Sequence, residues 1–146
     1  MSVMRLLESM HGHMGVLAAV ALLHPAILLR KGKALSQRTA LSVWLTAMVV
    51  VSAFTTGLVI YPAYRQSVRA DLFAKSVTAG FLFETKEHIA YAVVALTLGA
   101  TVAALAAPKE ARRPRRLAAL LFALAAAVCL LTVGLGSYLV AVQDFS

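Results

Sequence analysis

The chain has 146 residues, of which 61% are hydrophobic and only 14% charged, and its formal net charge at pH 7 is +8. The interior of a soluble domain of this length cannot hide that much apolar surface, so the composition excludes an ordinary soluble protein and favours a lipid bilayer as solvent. The positive charge lies mostly in two short connectors, as in integral membrane proteins, and we therefore expect no nucleic-acid partner.

Four long apolar segments predict an all-α fold, an integral membrane four-helix bundle formed by residues 1–146 as a single domain. Each segment is near the ~20 residues needed to cross the hydrocarbon core. In chain order, the predicted helices span residues 11–29, 40–61, 84–107 and 117–142. Short connectors join the first pair and the last pair, so each pair is expected to form an antiparallel hairpin.

The longer connector between the second and third segments, residues 62–83, predicts a short amphipathic helix at the membrane interface. Val68, Leu72, Phe73 and Val77 fall near helical spacing, and basic side chains lie elsewhere around the same helix. Such a helix would bury its apolar face at the edge of the acyl chains.

The distribution of Lys and Arg predicts the orientation. Nine of these residues lie in the first and third connectors, and five lie on the opposite side. Because cytoplasmic loops carry the excess of Lys and Arg, we expect a bacterial-type inner-membrane protein with both termini on the non-cytoplasmic side.

The most informative stretch opens the third predicted helix and reads FETKEHIAY from Phe83 to Tyr91. Glu84, Glu87 and His88 stand there at the edge of an apolar run, and ionisable groups in such a place indicate a functional site. The predicted topology also brings His11 and His13 of the first helix into the same outer half of the membrane.

Small residues accompany these histidines. On the third helix Ala92 follows His88 on the same face, and on the first helix Gly15 follows His11. Glycine is unfavourable inside a helix, so several at one depth indicate a cleared space. Five glycines map to this outer half: Gly12, Gly15, Gly57, Gly134 and Gly136.

A single b-type haem, clamped by imidazoles from two helices, would use such a space. The expected metal ligands are His88 and His11, with His13 as the alternative to His11. The remaining expected contacts are small residues beneath the ring and hydroxyls or cations near the propionates: Gly15, Ala92, Tyr61, Arg65 and Arg69.

In architecture and in the placement of these histidines, the chain resembles small four-helix membrane b-type cytochromes. The resemblance implies electron transfer through haem b. In dihaem members of that class, two histidines of one helix lie about thirteen residues apart. His11 and His24 have this spacing, but they do not share a face of a straight helix.

The sequence allows other interpretations, and it leaves open whether the chain is an enzyme. Glu84 and His88 are four residues apart and could bind a non-haem metal ion together. With or without a haem, Glu84, Glu87 or Tyr91 could also act as a catalytic base for quinol oxidation. An electron-transfer protein without a second redox centre implies a redox membrane subunit or quinone as partner. A non-catalytic structural subunit of a larger membrane complex is the alternative from another class.

Overall fold

A computed structural model describes residues 3–145, and the side chains of residues 6–143. This part of the chain is all-α, without strands, and consists of α1 (Val3–Leu29), α2 (Gln37–Lys75), α3 (Val77–Leu105) and α4 (Arg112–Phe145). All four helices are long and apolar enough to span a membrane. The predicted all-α four-helix architecture is therefore confirmed.

The helices form a four-helix bundle in which each packs against its neighbours in the chain. α1 packs against α2, α2 against α3 and α3 against α4, and α4 closes the bundle against α1. α1 and α3 consequently lie across the diagonal from each other. The main core consists of small and aliphatic residues such as Ala19, Ala100 and Ala125, with Leu22 and Phe122 as its larger members. Small side chains let apolar helices approach closely.

The predicted short interfacial helix is wrong. α2 has 39 residues and continues through Pro62 as far as Lys75, and α3 starts at Val77. Val68 and Leu72 of the apolar face that suggested an interfacial helix pack against the protein itself, whereas Val77 is 63% exposed. A second hydrophobic cluster, here called the hairpin core, buries the first two and consists of Val68, Leu72, Ala79, Phe83 and Leu139. This packing offsets the backbone hydrogen bond that a proline removes from a helix.

A single serine forms the tight turn between α2 and α3. Ser76 has an extended backbone, its amide donates to Leu72 O at 2.8 Å, and its hydroxyl accepts from the Ala79 amide at 3.3 Å. It therefore closes α2 and caps the N-terminus of α3. We call this end of the bundle the hairpin end. The opposite end, with connector residues 30–36 and 106–111, is the basic end.

The outward surface of the bundle is strongly apolar. Large side chains on three of the helices are more than half exposed, with Val20 at 60%, Leu45 at 56% and Leu120 at 65%. A soluble protein rarely exposes so large a continuous apolar surface, whereas lipid tails would cover it. The fold thus indicates an integral membrane protein.

Candidate functional site

Two polar pairs join α2 to α3 near the hairpin end. The hydroxyl of Tyr61 donates to Glu87 Oε2 at 2.9 Å. The second pair lies at least one helical turn nearer to Ser76. There Arg69 donates from Nε at 2.9 Å and from Nη2 at 2.6 Å to Glu84 Oε1. Both carboxylates selected from the sequence therefore lie on the face of α3 that meets α2, but each has a different partner.

Aromatic side chains continue this line of contacts toward the membrane centre. Phe54 of α2 and Tyr91 of α3 meet edge to face, with ring centroids 5.0 Å apart. Tyr91 is 58% exposed on the outer surface of the bundle. We call the line formed by Phe54, Tyr61, Glu87 and Tyr91 the α2–α3 seam. It presents a hydrogen-bonded hydroxyl–carboxylate pair beside aromatic rings, open to the lipid side.

The depth of the seam follows from helix geometry. His11, which packs beside Gly57 four residues before Tyr61, precedes the α1 terminus at Leu29 by 18 residues, or about 27 Å of helix. A hydrocarbon core is about 30 Å thick. If the basic end lies at one boundary of the core, the seam lies close to the other.

Lys86 extends in a different direction from its neighbour Glu87. Its Cδ lies 3.9 Å from the position of a Cβ on Gly136 of α4. Its ammonium lies 5.8 Å from the ring centroid of Tyr64 and 5.6 Å from that of Phe83. Among the described residues Lys86 forms no ion pair within 4 Å; its charge interacts with the two aromatic faces and with the carboxylate of its neighbour Glu87. A cation thus lies among the helices at the level of the seam.

His11 is tied to α2. Its Nδ1 lies 3.0 Å from Ala53 O, and because a carbonyl only accepts, Nδ1 carries the proton. The ring lies directly on Gly57, where a Cβ would stand 2.7 Å from His11 Cε1. Metal-binding histidines commonly donate one ring nitrogen to a carbonyl and ligate through the other. His11 Nε2 therefore remains a chemically suitable ligand atom.

The other histidines point elsewhere. His88 and His13 are exposed, and the Nδ1 of each donates at 2.7 Å to a carbonyl one turn back in its own helix, Glu84 O and Ser9 O respectively. His24 is also exposed and its Nδ1 lies 2.7 Å from the Ser42 hydroxyl. His11 and His88 lie on diagonal helices, with His88 on the outer surface, so one copy of the chain does not oppose them across the bundle.

The small residues selected with these histidines lie in different environments. Ala92 is exposed on the same outer surface as His88. Gly15 packs closely against α4, where a Cβ would stand 3.3 Å from Val133 Cγ2. For Gly12, by contrast, no described atom of another element lies within 4 Å. These residues do not line one common space.

Within a single copy, the residues selected for the two metal hypotheses do not come together around one ion or one haem. Two imidazoles would have to face each other for a bis-histidine haem, and His11 and His88 do not. For a non-haem ion, the described residues contain no group of three or more His, Cys, Asp or Glu side chains arranged to hold a metal. The two arginines expected near the haem propionates contact other residues. Arg65 Cζ lies 5.8 Å from the centroid of the Tyr61 ring, and Arg69 forms an ion pair with Glu84.

The inward position of Lys86 and the contact between Phe54 and Tyr91 were not predicted from the sequence. A signal for Lys86 exists, because Phe83 and Val93 lie three residues before and seven after it, on the buried face of α3. Comparisons of the chain with protein-family models, curated proteins and solved structures find no match.

Proposed function

We propose that the chain is a membrane redox subunit that binds the head group of a quinol or quinone at the α2–α3 seam. The observation that carries this proposal is the hydrogen bond from Tyr61 to Glu87, which joins two helices beside the exposed ring of Tyr91. Ionisable side chains at this depth in a membrane-spanning helix are costly unless they serve a function. A purely structural contact between apolar helices would not need them.

The chemistry of the seam matches that of a quinol head group. Its hydroxyl needs a proton acceptor, which Glu87 supplies, and the carbonyl of the oxidised form needs a donor, which Tyr61 supplies. The head group is flat and aromatic, and the rings of Phe54 and Tyr91 offer it edges and faces. The isoprenoid tail would remain in the lipid beside the exposed surface.

Glu87, rather than Glu84, is the proposed base. The carboxylate of Glu84 already accepts two hydrogen bonds from Arg69, both at Oε1. Glu87 accepts a single neutral hydrogen bond from Tyr61 and has a free carboxylate oxygen for a substrate hydroxyl. The two carboxylates therefore have separate roles, one in positioning and one in chemistry.

Oxidation of a quinol releases two protons and two electrons. Glu87 would take up the first proton and water at the nearby membrane boundary the second, and the two electrons would leave one at a time through a one-electron acceptor of the haem class to a partner redox subunit. We propose haem b as that acceptor; His11 Nε2 of this chain and a partner redox subunit would hold it, because His88 does not face His11 within one copy. Haem would supply the one-electron chemistry that side chains lack.

Quinone binding tests the proposal directly. The purified protein in lipid nanodiscs would be titrated with a short-chain ubiquinone, together with Glu87→Gln and Tyr61→Phe. Tyr61→Phe removes the donor hydroxyl and Glu87→Gln replaces the proton-accepting carboxylate with a neutral amide, so affinity should fall about tenfold, or about 1.4 kcal/mol.

Two matched variants complete the titration. Glu84→Gln changes the neighbouring carboxylate and Glu110→Gln changes one at the basic end, and both should bind within about twofold of the original protein. No saturable binding by the folded protein would contradict the proposal and favour a structural subunit.

The haem component has its own test. An oxidised-minus-reduced absorption spectrum of the protein, expressed with ample haem, should show a sharp α band and a shifted Soret peak. His11→Ala should abolish both, whereas His88→Ala and His13→Ala should retain them. A featureless spectrum from folded protein would contradict haem binding without touching the quinone titration.

We also propose that the hairpin end faces the non-cytoplasmic side of a bacterial-type inner membrane, because nine Lys and Arg residues lie in the two basic-end connectors and their flanks. Alkaline phosphatase fused after Ser146 should then be active and green fluorescent protein fused there should be dark. The reverse pattern would invert the orientation.

A further inference from the structure

The basic end contains a cleft that the quinone proposal does not use. It has a volume of about 510 Å³ and lies between the α1–α2 connector and the α3–α4 connector. Lys31 and Lys33 line one side, and Lys109 and Arg112 line the other. Both connectors join helix ends, so the cleft lies at the level where lipid head groups meet the bundle.

The charge of the cleft is strongly unbalanced. Glu110 is its only carboxylate, against four cationic side chains. None of these five side chains forms an ion pair with any described residue. Cations gathered at one concave surface raise the local concentration of anions, and a bound anion reduces the repulsion among the cations.

The two walls are fixed relative to each other by close backbone contact. Gly32 adopts a φ of 65°, the left-handed conformation that ends α1, and its amide donates to Leu29 O at 2.8 Å. A Cβ at this glycine would stand 2.8 Å from Arg112 O. No other residue fits here without displacing the start of α4.

A buried arginine ties both connectors together. Arg115 is 1% exposed and donates from Nη1 to Ala111 O at 2.9 Å and to Gly32 O at 3.4 Å, and from Nη2 to Pro108 O. Its Nε has no hydrogen-bond partner among the described residues. The guanidinium also meets no carboxylate there, so its charge adds to the positive field at Gly32, which lines the cleft.

We propose that this cleft binds a phosphate group, carried by an anionic phospholipid or by a free phosphate compound. Its closely packed walls and its surplus of cations suit a doubly hydrogen-bonding anion. Lysine and arginine side chains from opposite walls would contact the phosphate oxygens, and Arg115 would hold the walls in place. The site is independent of the α2–α3 seam.

The test compares two pairs of charge-removing substitutions in the same basic run. Lys109→Gln with Arg112→Gln removes two cations from the cleft. Arg113→Gln with Arg116→Gln removes two exposed cations that do not line it. Binding of phosphatidylglycerol, phosphatidylcholine and inorganic phosphate to the purified full-length protein would be measured by native mass spectrometry and by thermal shift in neutral detergent.

The original protein and the Arg113/Arg116 variant should retain phosphatidylglycerol in preference to phosphatidylcholine. The Lys109/Arg112 variant should bind it at least fivefold more weakly, and Lys31→Gln with Lys33→Gln should repeat this result should the first variant fold poorly. Competition by millimolar inorganic phosphate would assign the site to free phosphate compounds, and lack of competition would assign it to a lipid head group. Equal loss in cleft and control variants, or no loss in either, would overturn the proposal.

Discussion

The imidazole of His11 lies on the backbone of Gly57, so closely that a Cβ at position 57 would stand 2.7 Å from His11 Cε1. The same imidazole donates to Ala53 O one turn away. Glycine at this position thus allows a polar ring to pack between α1 and α2 at the level of the seam. In the described part of the chain, His11 is the only histidine whose ring hydrogen-bonds to the backbone of a neighbouring helix. The absence of a side chain at Gly57 leaves the room that this ring occupies.

Gly57→Ala should therefore displace His11 and lower the free energy of unfolding by about 1–3 kcal/mol, as overpacking does elsewhere. The measurement is the thermal unfolding midpoint in detergent. Gly134→Ala is the matched control, because no described atom of another element lies within 4 Å of its Cβ position. It should be neutral or stabilise by up to about 1 kcal/mol. Equal midpoints for the two variants would contradict the close packing.

Lys86→Met should raise the midpoint. The lysine is partly buried among helices without an ion pair in the described residues, and exchanging such a desolvated cation for an apolar side chain of similar length is expected to stabilise by about 1 kcal/mol. Lys75→Met is the control, because Lys75 is paired with Asp71 at 3.6 Å and donates to Gln143 O at 2.6 Å. A drop in stability for Lys86→Met would mean that its aromatic contacts outweigh its desolvation.

Arg115→Ala should destabilise the protein strongly, by about 2–4 kcal/mol, because each of three carbonyls at the basic end would lose the hydrogen bond that Arg115 donates to it. Arg116→Ala, an exposed neighbour, should change stability by less than about 0.5 kcal/mol. Urea unfolding in detergent, followed by circular dichroism, would compare them. A difference of less than about 1 kcal/mol between the variants would contradict the structural role of Arg115.

The ion pair between Arg69 and Glu84 should contribute little stability despite its short distance. The two side chains are 42% and 32% exposed, and pairs so accessible to solvent contribute about 0.2–1 kcal/mol. A double-mutant cycle with Arg69→Gln and Glu84→Gln should give a coupling energy in this range that falls as salt is added. A larger, salt-independent coupling would mean that lipid, rather than water, surrounds the pair.

The sequence was sufficient to predict the membrane-spanning helices, because their apolar runs are long and are bounded by basic connectors and prolines. It could not place residues 62–83. The face that carries Val68 and Leu72 suits a membrane interface and a protein core equally well, and its partner Leu139 is distant in the chain. Only the packing of α4 beside the hairpin distinguishes these alternatives.

Some of the polar residues where α2 meets α3 were selected from the sequence, but the directions of the side chains were not predicted. Glu84, Glu87, Tyr61 and Arg69 were selected from the sequence, and all lie where α2 meets α3. Which way His88 points depends on the rotation of α3 about its own axis, since residues two apart differ by about 200°. Lys86 therefore lies among the helices and His88 on the outside.

Photolabelling with an azido-quinone tests the central claim of quinone binding most directly. The protein in nanodiscs would be illuminated with the probe, digested and analysed by mass spectrometry, with excess unlabelled quinone as the competitor. We expect adducts on the α2 and α3 peptides that contain Phe54 and Tyr91, and excess unlabelled quinone should reduce them. Adducts confined to the groove beside His24 and Ser42, or labelling that the competitor does not reduce, would contradict it.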